Sequence, residues 1–460
     1  MKPFSIVTIV TPWLAAAMLA AQPALAMVSA QEAAALKSTL TPLGAERAGN
    51  KDGSIPAWTG GHTQMPPNYK SGDPPPDLFA ADKPLLKIDA KNAAQYADKL
   101  SEGVKGLLKK YPDTFRLDVY PTRRTAAAPQ WVYDNTFQNA TRARTTDNGL
   151  WVEGAYGGIP FPIPKNGNEA MWNHKLQWTG ETISSYFVNY VGTPDGKLIM
   201  ATKGYNKSQY PYYEKGGAVD KFTGESQQLR IFTTEPPLKA GSQFLLVDAV
   251  NRPRQAWEYL TGQRRVRKAP TLGYDTPDDI NSGQSYFDEA FVFLGELDRY
   301  NWKLVGKKEI YIPYNNNKVY QKGLSLEQLL MPHHANPDSM RWELHRVWVV
   351  EAELAPGKRH VVPKRRLYLD EDTWAAVLGE GWDAQGQLWR VQVAMPYVVP
   401  EGPFVNATSS WCIYNLLSGA YLAAAFPDYG SPGFRYHYKL LDRIPSSYFS
   451  PEALAGEGVR

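Results

Sequence analysis

The sequence predicts a mainly β fold of the α+β type, one strongly curved antiparallel sheet preceded by an N-terminal arm. Long stretches alternate apolar and polar residues with period two, polar turns separate them, and helical spacing is scarce after about residue 130. A doubly wound α/β fold would interleave helices between its strands instead. The clearest run sets Trp342, Leu344, Arg346, Trp348, Val350, Ala352 and Leu354 on one face, six of the seven apolar, against Arg341, Glu343, His345, Val347, Val349, Glu351 and Glu353. A second sets Gln387, Trp389, Val391, Val393 and Met395 against Leu388, Arg390, Gln392 and Ala394, directly after the turn Asp383-Ala384-Gln385-Gly386, as a hairpin would. Further strands are expected at 131–146, 183–191, 197–205, 228–234, 244–250, 257–260, 301–312 and 366–369, roughly ten in all.

Taken in order, residues 1–26 read as a cleavable secretory signal. Lys2 gives a positive start, Phe4 to Ala21 is mostly apolar, and Ala24-Leu25-Ala26 has the small-x-small form of a cleavage site. The mature chain is expected to begin near Met27 and to reside in the periplasm of a Gram-negative bacterium. Thr8, Thr11 and Pro12 interrupt the apolar run, and no later segment offers about 18 uninterrupted apolar residues, so no transmembrane anchor is expected. Residues 27–125 form the arm or cover, with a tight loop at Gly49-Asn50-Lys51-Asp52-Gly53 and a stiff spacer at Pro74-Pro75-Pro76. Ala97, Leu100, Val104, Leu107 and Leu108 predict a helix over 93–110 that stops before Pro112. Residues 126–460 carry the sheet and a C-terminal extension.

Composition and motifs narrow the chemistry. The formal charge of +4 is small and mixed, which argues against a nucleic-acid partner. The single Cys412 lies in the aromatic stretch Ser410-Trp411-Cys412-Ile413-Tyr414 and reads as a buried small hydrophobe, so intrachain disulfides are excluded. No Gly-x-Ser-x-Gly elbow, phosphate loop or His-Glu-x-x-His helix is present. Asp370, Glu371 and Asp372 could share a proton, but adjacent strand residues face opposite ways, and a solvated turn is expected. His333, His334 and His345 show no spacing that supplies three or four convergent metal ligands. Asn50 to Gly53 lacks the alternating oxygens of a calcium loop. No catalytic residue, metal or cofactor is expected.

Two surfaces remain as binding candidates. Arg264, Arg265, Arg267 and Lys268, together with Arg365 of Lys364-Arg365-Arg366, could form a rim for anionic groups or guard a sheet edge, and both readings stand. The apolar set Trp257, Tyr259, Trp302, Leu304, Trp342, Leu344, Trp348, Val350, Leu367, Trp389 and Val391 could line a ligand cavity or fill a core under the arm. Aromatic residues make up 12% of the chain, with 27 Tyr and 14 Trp, enough for either role.

The run Trp257-Glu258-Tyr259-Leu260-Thr261-Gly262-Gln263-Arg264-Arg265-Val266-Arg267-Lys268-Ala269-Pro270 resembles the periplasmic domain-of-unknown-function family 1329. The stretches from Leu43 to Gly53 and Ile55 to Gly61, Gly157-Gly158-Ile159-Pro160-Phe161-Pro162, and Leu367 to Trp374 resemble it too. More loosely, the later part is similar to the outer-membrane lipoprotein-sorting LolA and LolB group. That resemblance implies an incomplete β-barrel with a helical lid around a hydrophobic cavity. It also implies a non-enzymatic carrier of a lipid-like molecule. The resemblance to family 1329 implies as partners an envelope transporter of the resistance-nodulation-division type and an outer-membrane barrel, and it allows peripheral membrane contact. A transporter adaptor without ligand, or a hydrolase with a scattered site, are the alternatives.

Overall fold

The structure, a computed structural model, describes residues 28–269 and 274–457. The expected signal segment and the start near Met27 lie outside the described residues. No helix among the described residues is long and apolar enough to cross a membrane.

The strands are β1 (Leu86–Ile88), β2 (Leu117–Val119), β3 (Arg144–Thr146), β4 (Trp151–Glu153), β5 (Thr182–Gly192), β6 (Leu198–Gln209), β7 (Glu225–Glu235), β8 (Gln243–Ala249), β9 (Gln255–Leu260) and β10 (Arg265–Lys268). They continue with β11 (Tyr300–Pro313), β12 (Trp342–Leu354), β13 (Lys364–Asp370), β14 (Ala376–Trp382), β15 (Leu388–Ala394), β16 (Tyr397–Val399), β17 (Phe404–Asn406), β18 (Trp411–Asn415), β19 (Tyr421–Phe426) and β20 (Lys439–Leu440). The α-helices are α1 (Ala30–Ala33), α2 (Glu102–Lys110), α3 (Gln130–Arg142), α4 (Gly167–Lys175), α5 (Leu326–Leu329) and α6 (Pro451–Glu457).

Sixteen strands join one sheet. Its main path is β11-β12-β13-β14-β15-β18-β19-β5-β6-β7-β8-β9-β10, every neighbour antiparallel. The expected purely antiparallel sheet needs correction, because β2 meets β12 in parallel at Val119 and Trp342, which makes the sheet mixed. The segment expected to hold no strands thus supplies two, β1 and β2. The two ends of the path, β11 and β10, do not pair with each other, so the sheet is not a closed barrel.

Most expected strands form where alternation places them, and the Asp383–Gly386 turn does join β14 to β15. The stretch 131–146 is the exception. It folds mainly as α3, whose buried Val132, Thr136, Asn139 and Ala140 recur at helical spacing, so its aromatic and β-branched content was a misleading sign. The single helix expected over 93–110 is two elements. Ser101 caps α2 by accepting from Val104 N, which breaks the run after a 3-10 segment at Ala93–Lys99.

Register fixes which residues share a face, since paired residues point the same way. One face can be followed from Leu304 and Val350 through Leu367, Gly379, Gln392 and Ile413 to Leu422 and Val191. Along β5 it continues to Phe187 and Ser185, then crosses Asn206, Ile231, Phe244 and Glu258 to Arg267. At the β11–β15 end this face belongs to the main apolar core. At the β5–β9 end a separate cluster of Phe187, Leu229, Phe244, Leu246, Ala256 and Ile280 covers it. The opposite face of β8 and β9 packs Leu245, Val247 and Tyr259 against Phe449 and Leu454 of the C-terminal segment.

Candidate functional site

Over the separate apolar cluster lies a cavity of about 90 Å³. Its floor comes from alternate residues of four strands: Ser185 and Phe187 of β5, Asn206 of β6, Leu229 and Ile231 of β7, and Phe244 and Leu246 of β8. Because strand side chains alternate, Gln228 and Arg230, or Leu245 and Val247, point away from it. Phe244 and Phe287 meet with ring centroids 5.7 Å apart. Beyond them opens a second space of about 580 Å³, bordered by Glu258, Leu260, Arg267 and Lys268. An apolar chamber therefore sits behind a polar mouth of mixed charge, where Glu258 and Asp279 stand beside Arg267 and Lys268.

The cavity is covered by the irregular segment from Asp278 to Leu294, which contributes Ile280, Phe287, Ala290 and Phe291. This segment is held by charge and hydrogen bonds from distant strands. Arg365 Nη2 reaches Asp288 Oδ2 at 2.8 Å, Arg390 Nε reaches Glu289 Oε1 at 2.9 Å, and Gln392 Nε2 donates to Glu289 O at 3.2 Å. Asn189 Nδ2 donates to Asn281 Oδ1 at 2.7 Å. Gly379 leaves room for the cover, since a Cβ there would stand 2.8 Å from Val292 Cγ1. Within the cover, Phe291 and Val292 adopt φ of 53° and 71°, conformations that cost energy for such side chains and persist only because neighbours impose them. Helix α4 fixes the far end. His174 Nε2 lies 2.9 Å from Phe293 O while its Nδ1 accepts from Ala376 N at 3.0 Å, and Lys175 Nζ donates to Gly295 O at 2.8 Å. Burial pushes the His174 imidazole down to about 4, so it works here as a neutral donor and acceptor.

Polar groups also line the cavity, among them Asn189, Asn206, Arg254, Asp278, Asn281 and His437. Asp278 is buried, its carboxylate accepting from Ile280 N at 2.9 Å and Asn281 Nδ2 at 2.6 Å, and burial pushes it up to about 7. Burial pushes His437 down to about 3. Trp411 Nε1 is buried with no hydrogen-bond partner among the described residues. The chamber thus offers apolar contact together with nitrogens of Trp411 and His437 that are unpartnered among the described residues, and its one lining cation, Arg254, is already paired to Asp248.

The eleven apolar residues expected to act together are not on one surface. Trp302, Leu304, Trp342, Leu344, Trp348, Val350 and Leu367 share the cavity's face of the sheet, yet they lie within or against the main core rather than around the cavity. Val391 points the other way: it pairs with Glu380, and α2 packs on it through Gly103, whereas Trp389, at the register shift between Gly381 and Trp382, turns toward the cover with its ring centroid 6.3 Å from that of Tyr286. Trp257 and Tyr259 face the C-terminal cluster. Arg264, Arg265, Arg267 and Lys268 are exposed on and beside β10, the last strand of the sheet, with Arg267 paired to Glu258. Arg365 belongs to no rim. It is 2% exposed and holds Asp288 in the cover.

Sequence reasoning passed over the cavity residues although their alternation was visible in the expected strands 183–191, 228–234 and 244–250. It also misread Asp370, Glu371 and Asp372. They are 0%, 2% and 3% exposed rather than a solvated turn. Arg124 Nε donates to Asp372 Oδ2 at 2.9 Å, and Arg346 Nη1 to Glu371 Oε1 at 2.9 Å. Arg124 and Arg346 also take the carbonyls of Glu46 and Ala48, so this buried charge pins the N-terminal segment to the sheet.

The model of the family described as protein of unknown function (DUF1329) matches residues 87–455. The chain is 38% identical to uncharacterized protein PA3922 of Pseudomonas aeruginosa, over 97% of each chain. Among solved structures, a DUF1329 family protein from Desulfovibrio piger aligns over 60% of this chain and 92% of its own at 12% identity, TM-score 0.40. A putative outer membrane lipoprotein-sorting protein domain from Vibrio parahaemolyticus aligns over 62% and 97% at 13% identity, TM-score 0.42. A LolA superfamily protein from Nitrosomonas europaea aligns over 63% and 100% at 11% identity, TM-score 0.37.

Proposed function

Since this chain belongs to the DUF1329 family, a family defined without an activity, we propose from its own geometry that it is a periplasmic carrier. It shelters the apolar part of a lipid-like molecule in the chamber between β5–β8 and the 278–294 cover. In this reading the sheet bends into an incomplete barrel, and the cover with α4 behind it is the lid. Cargo passes to or from an envelope transporter of the resistance-nodulation-division type and an outer-membrane barrel, and the chain reaches the periplasm through the cleaved signal at 1–26.

The observation that carries this reading is the chamber itself: an apolar space outside the main core, bounded by Phe187, Leu229, Phe244, Leu246 and Phe287, opening toward Arg267 and Lys268. Each methylene moved from water into such a space gains about 0.8 kcal/mol. At about 90 Å³ the closed chamber takes only a short apolar segment, so a longer chain requires the cover to lift. Sheltering needs no nucleophile or acid–base pair. The test is native mass spectrometry of protein purified from periplasm, followed by lipid extraction. A co-purifying lipid, and saturable binding of an apolar fluorescent probe to delipidated protein, support the carrier. A lipid-free protein that takes up no probe overturns it.

An adaptor without cargo is favoured by one separate observation, the exposed basic strand β10 at the end of the sheet, which suits an acidic partner surface. Binding of a transporter fragment by lipid-free protein, lost at high salt, would support it.

A further inference from the structure

The buried charges at the start of β12 and the end of β13 lie apart from the chamber. His345 Nε2 stands 3.0 Å from Glu343 Oε2, and its other nitrogen, Nδ1, faces Asp370 Oδ1 at 3.9 Å, beyond hydrogen-bond reach. Asp370 Oδ2 accepts from Thr373 N at 3.1 Å and Thr373 Oγ1 at 2.7 Å, but Oδ1 is buried with no partner among the described residues. One ligand atom from each of His345, Asp370 and Asp372 lies within 4.8 Å of the others. Tyr314 supplies an independent sign. Its ring stacks on His345 with centroids 4.1 Å apart, and its hydroxyl is also buried without a partner among the described residues. Two buried oxygens left empty-handed in one place are uncommon in a folded protein and call for a ligand.

Ion pairs surround these residues, joining the carboxylates of Glu46, Asp82, Glu309, Glu343, Glu371 and Asp372 to the cations Arg123, Arg124, Lys307, Arg341 and Arg346. No arginine or lysine among the described residues pairs with Asp370, which leaves its Oδ1 open to a ligand.

We propose that His345 Nδ1, Asp370 and Asp372 hold a divalent transition-metal ion, with the Tyr314 hydroxyl turned to its remaining position. One imidazole and two carboxylates suit Zn²⁺ first. Glu343 then acts as the outer partner that accepts the imidazole Nε2–H and leaves Nδ1 as the ligand, an arrangement metal-binding histidines commonly have. A four-coordinate zinc at about 2.0–2.2 Å from its ligands draws them closer than the present spacing by a modest contraction. Arg124 grips Asp372 and the carbonyls of Glu46, Arg47 and Pro56, so the ion would clamp the N-terminal segment to the sheet.

The experiment uses the full mature chain, stripped with a chelator and titrated with Zn²⁺ against a chromophoric competitor. The expected result is one Zn²⁺ per chain at micromolar concentration or below, weakened at least tenfold in Asp370→Asn and in His345→Gln. Tyr314→Phe keeps the ring stack and removes only the oxygen. It should weaken binding severalfold without lowering the unfolding midpoint. Co²⁺ substitution should give visible d–d bands of a low-coordinate nitrogen and oxygen site, a readout that stands even if the ligand variants fail to fold. No uptake by the wild type, no such bands, or uptake unchanged in Asp370→Asn and His345→Gln overturns the proposal.

Discussion

Ala290→Leu tests whether the chamber is real space. Ala290 lies in the cover, half-buried, in extended backbone with φ −60° and ψ 138°, and its methyl lines the cavity. An empty space of about 90 Å³ costs roughly 2 kcal/mol at about 24 cal/mol per Å³. Leucine adds three carbons, and at about 0.8 kcal/mol each their burial gains about 2.4 kcal/mol. Freezing the side chain returns about 0.5–1 kcal/mol of that. The net expectation is a gain of about 1–2 kcal/mol in unfolding free energy, with at least a tenfold loss of apolar-probe affinity. Ala352→Leu serves as the contrast, because Ala352 is 0% exposed in the main core and overpacking there should cost about 1–3 kcal/mol. Denaturant unfolding of delipidated protein and probe titration measure both quantities. If Ala290→Leu destabilises as much as Ala352→Leu and leaves probe binding unchanged, no usable space exists under the cover and the chamber argument fails.

Three further outcomes follow from the same geometry. Asp278 is held up near 7 by burial and by the adjacent charge of Asp279, with Arg254 and a neutral His437 on the same cavity, so its folded form binds a proton that the unfolded form releases near 3.8. Its contribution is present in full below about pH 4 and fades as pH rises through 7, by at most about 4 kcal/mol at about 1.4 kcal/mol per pH unit, and Asp278→Asn should remove that share of the pH dependence of unfolding. Arg365→Leu removes the guanidinium that pairs with buried Asp288, and should cost about 3–5 kcal/mol while amide exchange quickens across 278–294. Reversing Arg265 and Arg267 to Glu should weaken salt-sensitive binding to anionic vesicles and lower the unfolding free energy by no more than about 1 kcal/mol, the cost of setting a carboxylate at 267 opposite Glu258.

Alternation alone located most of the sheet, because Trp342–Leu354 and its neighbours have one buried and one partly polar face. It failed at β14, Ala376–Trp382, where Gly379 and Gly381 carry no side chain to show a period and where the cover needs that gap. Which face each strand shows is a different matter. Val391 and Leu367 both sit at apolar positions of clear strands, yet the register between β13, β14 and β15 sends them to opposite sides. Register depends on pairing and on shifts such as the one at Gly381/Trp382, and neither is written in a single strand. Asp370, Glu371 and Asp372 look like a solvated turn because Arg124 and Arg346, which make their burial tolerable, are remote in sequence or belong to another strand. The chamber's lid was illegible for a similar reason: 278–294 has no regular pattern, and it holds its place through Arg365, Arg390 and Gln392.

The order of the strands also dictates how the chain can fold. From β5 to β10 each strand pairs with the next in sequence, and β11 to β19 runs nearly as simply, so each half can assemble from local hairpins. The two halves meet at one seam, where Leu422 of β19 lies beside Val191 of β5. Closing that seam brings together segments far apart along the chain and must await both halves, which makes it the slow step of assembly. The chamber straddles the seam, with Phe187 on one side and Trp411 and Ala425 on the other. Binding competence should therefore be the last property acquired during refolding, appearing after most of the sheet has already formed.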